Sequence, residues 1–140
     1  MLNQINRLLD KPDLGKLILR LSFALMMLLH GWHKLHGGID FIQGMLVQHG
    51  LPAFVGYGVF VGEIVAPVLM ILGILTRLSA LVFSLTMLSA WLLMGPGSAL
   101  TLTQVGAWGV ENMAVFFFAG IAIALLGSGR YSVVGHSAWR

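Results

Sequence analysis

An all-α membrane protein, a bundle of four transmembrane helices, is the fold class this sequence predicts, and three observations carry it. Only 9% of the 140 residues are charged while 58% are hydrophobic, and the mean hydropathy is +0.91; a soluble domain carries about 25% charged residues. Four apolar stretches, at about 14–35, 52–75, 78–94 and 105–126, each approach the ~20 residues that cross hydrocarbon as a helix. The breaks between and after them hold turn residues: Gly37-Gly38, Gly50-Leu51-Pro52, Gly95-Pro96-Gly97 and Gly127-Ser128-Gly129. So little charge excludes a soluble globular domain, a disordered chain and a disulfide-stapled secreted module. The absence of cysteine removes thiolate, disulfide and Cys-ligated metal chemistry. The net charge of +3 is small; the expected partner is the lipid bilayer, and no nucleic acid.

Taken in chain order, residues 2–9 read as a short segment lying on the cytoplasmic interface. The first span opens with charges and then runs apolar, as a signal peptide does. No small-x-small cleavage pattern follows it, so it is expected to be retained. Between the first two spans, residues 40–49 are too few to cross. With Asp40 as N-cap and Gly50 as the stop, they are expected to form a short helix lying in the outer interface. The Thr76-Arg77 break is very short and forces the second and third spans to be antiparallel neighbours. Arg7, Lys11, Lys16, Arg20, Arg77, Arg130 and Arg140 fall on one side of this topology and only Lys34 on the other. The positive-inside rule then puts both termini in the cytoplasm. Residues 1–140 form one domain.

Ionisable groups inside spans are the main functional signal, since each costs about 2.5–3.5 kcal/mol in hydrocarbon even on the lenient insertion scale. From the topology, Glu63 lies ~15 Å and Glu111 ~9 Å below the outer boundary, with His30 at a similar depth to Glu111 and His33 and Lys34 one turn nearer the surface. Phe23, Met27, His30 and Lys34 form one stripe at helical spacing, with Arg20 near its cytoplasmic end. The expectation is an interior polar cluster of His30, His33, Lys34, Glu63, Glu111 and Asn112. Glu63 and Glu111 both stand as partners for Lys34. The competing reading is a snorkelling Lys34, or a pair that only locks helices together. No catalytic residue is assigned.

Pro67 follows Glu63 by four residues and cannot donate to its carbonyl, so the helix is expected to kink there. His30-x-x-His33-x-x-His36 has the look of a metal run. However, positions six apart point about 120° away from each other. A site would need a further ligand from Glu111, Asp40 or His49, so packing and surface histidines are preferred and no metal is expected. His30 and His33 share a helix and cannot clamp a haem. Trp32, Trp91 and Trp108 near the outer ends of three spans read first as an interfacial aromatic belt. Their functional reading is a stacking wall for a planar ligand such as a quinone. Gly58-x-x-x-Gly62 suggests close helix contact.

The combination resembles the DoxX family of small bacterial four-span membrane proteins, over nearly the whole chain. The residues that carry the resemblance are Arg20, Gly31-x-x-Lys34, Gly50-Leu51-Pro52, Glu63, Gly73-x-x-Thr76-Arg77, Glu111 and Gly127-x-Gly129. The chain departs from the family's frequent Ser-Leu-Asp ending, reading Tyr131-Ser132-Val133-Val134. The resemblance implies a multi-pass protein of the bacterial inner membrane. It further implies a membrane subunit or anchor of an oxidoreductase system, with a redox partner protein, a candidate quinone or small-molecule site in the outer half of the bundle, and self-association as a further candidate. With no Cys and no recognisable cofactor motif, the chain is not expected to complete a redox cycle alone. The alternatives are a small transporter or proton-coupled permease, or a purely structural or assembly protein.

Overall fold

The computed structural model describes residues 1–135, and these are helical apart from turns and a single isolated β-bridge, Leu102 to Trp108. Arg140, counted above among the basic residues, lies outside the described residues. Helix α1 (Leu2–Leu9) carries Leu2, Ile5, Leu8 and Leu9 exposed and buries nothing. Helix α2 (Pro12–Gly37) begins with Pro12 and Asp13 in its first turn, where the missing proline N–H is harmless and an acid meets the positive end of the helix dipole. The loop helix α3 (Asp40–Gln48) forms as expected between spans. Its N-cap is Ile39 and no side chain caps it; Asp40 is the first helical residue instead.

The second apolar stretch is composite. A 3₁₀ turn (Ala53–Gly58) leads into a π-turn (Val61–Val65) and then α4 (Ala66–Leu72). Together they make one apolar helical run of 20 residues. Gly73, with φ +75°, ends α4 in the left-handed conformation, and only Ile74 and Leu75 separate it from α5 (Thr76–Met94). Helix α6 (Glu111–Leu126) starts later than the apolar run at 105–126 suggested. Gly106 adopts φ +82° in a turn closed by Thr103 N–H donating to Ala107 O at 2.7 Å, and Trp108 Nε1 donates to Ala99 O at 2.6 Å. Residues 105–110 therefore belong to the loop. By length and composition α2, the 53–72 run and α5 can each cross a membrane, while α6 is a shorter apolar helix of 16 residues.

Helices α2, α4, α5 and α6 pack around one core that includes Met27, Met70, Phe83 and Ile123. Lipid gives no hydrophobic drive between helices, so close packing relies on small residues and interhelical hydrogen bonds. Gly62 lies directly against Thr86 and Gly120 against Ser84, while Gly58 faces open space. Only half of the Gly58/Gly62 pair thus makes a helix contact. Ser84 Oγ donates to Phe117 O at 2.8 Å across the α5–α6 interface. Leu25, Leu29, Leu81, Leu85, Phe118 and Leu125 remain exposed, as lipid-facing residues do.

One end of the bundle is stitched by the segment after α6. Arg20, buried in α2, donates from Nη1 to Ser128 O at 3.2 Å and from Nη2 to Tyr131 O at 2.5 Å. Ser132 Oγ donates to Gly73 O at 2.9 Å, and Val133 N–H to Leu72 O at 3.0 Å. Arg77 Nη1 caps α6 through Ala124 O and Leu125 O at 2.8 and 2.7 Å, where a cation also meets the negative end of the dipole. Asp13 Oδ1 accepts the Arg130 N–H at 3.2 Å. The start of α2, the α4–α5 hairpin and the end of α6 therefore share one end with Lys11, Lys16, Arg20, Arg77 and Arg130, and Lys34 lies toward the other.

Candidate functional site

Pro67 has no N–H, so the carbonyl of Glu63 cannot receive the usual bond from four residues on. The chain answers with the π-turn at Val61–Val65, in which the Ala66 N–H bonds Val61 O five residues back. A kink is expected at Glu63–Pro67; the structure has a π-turn just before Pro67, and π-turns are a recognised cause of helix bending. The Glu63 carbonyl packs against α2 at Gly31, where an added Cβ would come within 2.6 Å of it. Only glycine at position 31 permits this approach.

With the two backbones this close, the Lys34 side chain turns into the bundle rather than out to the surface. Its Nζ lies 2.5 Å from Glu63 Oε1, and the side chains are 27% and 4% exposed. This is the ion pair that the sequence left open between two acids. Glu63 Oε2 is buried and receives no hydrogen bond from the described residues.

Two cavities meet at the pair. The larger, about 660 Å³, lies between α2, α5 and α6. It is lined by His30, His33, Lys34, Glu63 and Asn112 together with Met27, Met87, Met113 and Phe116. The smaller, about 440 Å³, lies beneath α3 and the 3₁₀ turn, with Phe41, Met45, Leu46, Val59, Thr86 and Ser89 on its walls. Lys34, Glu63, Ala90 and Met94 line both. Both are chiefly apolar with a few polar groups on their walls, and the ion pair lies at their junction. Phe116 anchors the first chamber: Phe23 and His30 meet it edge-on at 5.6 and 5.9 Å between ring centroids.

His30, His33, Lys34, Glu63 and Asn112 line the larger cavity and Glu111 lines neither; of the five only Glu63 is buried, Lys34 is half-buried, and His30, His33 and Asn112 are exposed rather than interior as expected. Glu111 is the exposed first residue of α6, because that helix begins there and not six residues earlier. Trp91 and Trp108 share a third, apolar groove of about 210 Å³ with Phe117 and Phe118. Trp32 is 60% exposed and stacks edge-on with His36 at 4.5 Å, away from them. The three tryptophans therefore do not form one wall, and none of them lines the chambers at Lys34. Among the described residues no group of three or more His, Cys, Asp or Glu is placed to hold a metal. Sequence reasoning passed over Thr86, Ala90, Met113 and Phe116. Their register on α5 and α6 was the available signal, but it needs the packing partners to be known.

The DoxX family model matches residues 15–96. That stretch holds Arg20, Gly31, Lys34, Glu63, Pro67 and Arg77 and stops short of α6. A "putative oxidoreductase CatD" from Bacillus subtilis (strain 168) is 32% identical over 78 residues, covering 56% of this chain and 58% of that relative. The matched segment thus spans little more than half of the relative's length. No solved structure matches. With the family model covering more than half of its length, the chain belongs to the DoxX family.

Proposed function

We propose that this membrane protein is a four-span subunit or anchor of an oxidoreductase system in the bacterial inner membrane, with a small-molecule site at Lys34–Glu63 and a quinone as the ligand class. The observation that supports this most is the part-buried ion pair, with its carboxylate buried, at the junction of two cavities. A buried pair is weak support for stability, because desolvation offsets most of the attraction, and intramembrane charge marks function by default. The oxidoreductase name of the Bacillus subtilis relative points the same way.

The donor chemistry of the larger chamber fits a quinone ring. Lys34, His30, His33 and Asn112 offer N–H groups to ring oxygens, while Met27, Met87 and Phe116 provide apolar walls. A bound quinone would supply two-electron, two-proton redox capacity that the side chains lack, with electrons coming from a partner protein. The chain's own residues hold and orient the ring and keep the pair neutral overall. The basic end is read as cytoplasmic, which puts the chambers in the outer half of the bilayer.

The test is purification from native membranes in mild detergent, with solvent extraction of the bound fraction and identification of co-purifying proteins. The expected result is a redox-active lipid at near one per chain, lost in the Lys34→Met/Glu63→Gln double variant, and a soluble redox partner. Absence of both, together with Glu63-dependent solute or proton flux in proteoliposomes, would replace this reading with that of a small permease. Chambers on both sides of one ion pair are the feature that favours that second reading.

A further inference from the structure

We infer that the ligand binds this site through a hydroxyl group that accepts from Lys34 and donates to Glu63, so that the hydroxylated, reduced form of a ring is held in preference to its carbonyl form. This rests on the reading of Lys34–Glu63 as a small-molecule site. Glu63 is 3% exposed. Its Oε1 is taken by Lys34, and its Oε2 is buried without a donor among the described residues. A carboxylate can only accept hydrogen bonds, and an ammonium can only donate them. Lys34 has three N–H groups, of which one is engaged by Glu63 Oε1. An acceptor lacking a donor thus sits next to a donor with spare capacity.

The protein's own nearby hydroxyls do not close this gap. Thr86 Oγ1 donates to Val82 O and Ser89 Oγ to Leu85 O, each at 2.8 Å along their own helix. Lys34 and Glu63 both line the two chambers, so a ligand held there lies next to the pair. A hydroxyl is the smallest group that answers both needs at once. A quinone carbonyl or an ether oxygen answers Lys34 alone and leaves Glu63 Oε2 unsatisfied. Sites with buried polar groups reject an analogue that lacks the matching hydrogen-bonding group more strongly than apolar pockets reject one of the wrong size.

The experiment is calorimetric titration of the full chain in nanodiscs under argon, with empty nanodiscs as the blank. The probes are a short-tailed hydroquinone, the corresponding benzoquinone and the hydroquinone dimethyl ether. The hydroquinone is expected to bind at least about tenfold tighter than either of the others. In Glu63→Gln the amide N–H can answer a carbonyl, so the ratio should fall toward one or reverse. If the single variant does not fold, the Lys34→Met/Glu63→Gln double variant, which leaves no unpaired charge, serves instead: it should lose hydroquinone binding, and binding as tight as in the wild type would overturn the inference. Equal binding of hydroquinone and benzoquinone, or an ether that binds as well as the hydroquinone, would overturn the inference and leave the site standing. Failure of all three probes to bind would overturn the site as well.

Discussion

Removing Lys34 tests the arrangement most directly. Its Nζ lies 2.5 Å from Glu63 Oε1, and Glu63 keeps only 4% of its side chain exposed. Lys34→Met would preserve the apolar stem and delete the charge, leaving the carboxylate buried and uncompensated. Breaking a fully buried pair from one side costs about 3–5 kcal/mol, much of it the penalty of the abandoned partner. The Lys34 side chain is 27% exposed, so solvent already screens part of the attraction, and the expected loss lies at the lower end, about 3 kcal/mol. The readout is unfolding by SDS titration in mixed micelles, with Arg7→Met, on the exposed α1, as the control for a lost charge alone.

A second substitution identifies the partner. Lys34→Met/Glu63→Gln removes the orphaned charge and should recover at least about 1 kcal/mol of the loss, the coupling that a contacting pair shows in a double-mutant cycle. Lys34→Met/Glu111→Gln should recover nothing, because Glu111 is exposed at the start of α6. If the Glu111 change rescued and the Glu63 change did not, the pairing and the site built on it would both be wrong. A Lys34→Met variant as stable as the control would show that the pair is a surface contact in the native protein.

Pro67→Ala restores an N–H opposite the Glu63 carbonyl and lets the π-turn close as α-helix. Dropping the extra residue of a π-turn rotates what precedes it by about 100°, so the Lys34–Glu63 coupling energy in the same cycle should fall below about 0.5 kcal/mol; an unchanged coupling would sever Pro67 from the site. Arg20→Met loses two charged donors to the backbone of the closing segment and should lower stability by about 2 kcal/mol, with faster amide exchange at Ser132–Val134; protection there equal to wild type would refute the anchoring role. Because the chain has no cysteine, single cysteines report topology cleanly. Gly97→Cys should react with an impermeant maleimide from outside the cell and Gly15→Cys only after the membrane is opened, and the reverse pattern would invert the proposed orientation.

The helical membrane class was legible because it rests on composition, which no tertiary detail can reverse. The start of α6 was not. Val105-Gly106-Ala107-Trp108-Gly109-Val110 is apolar enough to extend a span, yet Gly106 takes φ +82° and closes a turn. Two glycines three apart and the preceding Thr103 were the local signal, and hydropathy overrode them. That boundary error carried Glu111 about 9 Å too deep on paper, which is why two acids competed for Lys34. Arg20 shows a different limit. Its acceptors, Ser128 O and Tyr131 O, lie 108 and 111 residues away and are backbone groups, so nothing in the local pattern announces them. Trp32, Trp91 and Trp108 share a depth in the sequence, but depth does not fix neighbours: Trp108, in the loop before α6, shares a groove with Trp91, while Trp32 meets His36.

The ion pair depends on residues that each violate an ordinary rule of helix building. Gly31 gives up helix propensity in mid-helix, at a cost of about 1 kcal/mol, and allows the Glu63 backbone to press against α2. Pro67 breaks the regular bond ladder, and the π-turn it accompanies sets the direction of Glu63. Lys34 turns away from the water that its position near the end of α2 would offer. Had the chain needed only to register two helices, a second small residue or a Ser–carbonyl bond, as between Ser84 and Phe117, would serve at lower desolvation cost. Departures from local consistency concentrate at functional sites. Here they converge on one carboxylate, that of Glu63, a residue that lines both cavities and whose second oxygen receives no hydrogen bond from the described residues. The same convergence ties the site to the fold: a ligand that reorients Glu63 must disturb the π-turn and the α2 contact at Gly31, so occupancy of the chambers should be felt in the packing of the first two spans.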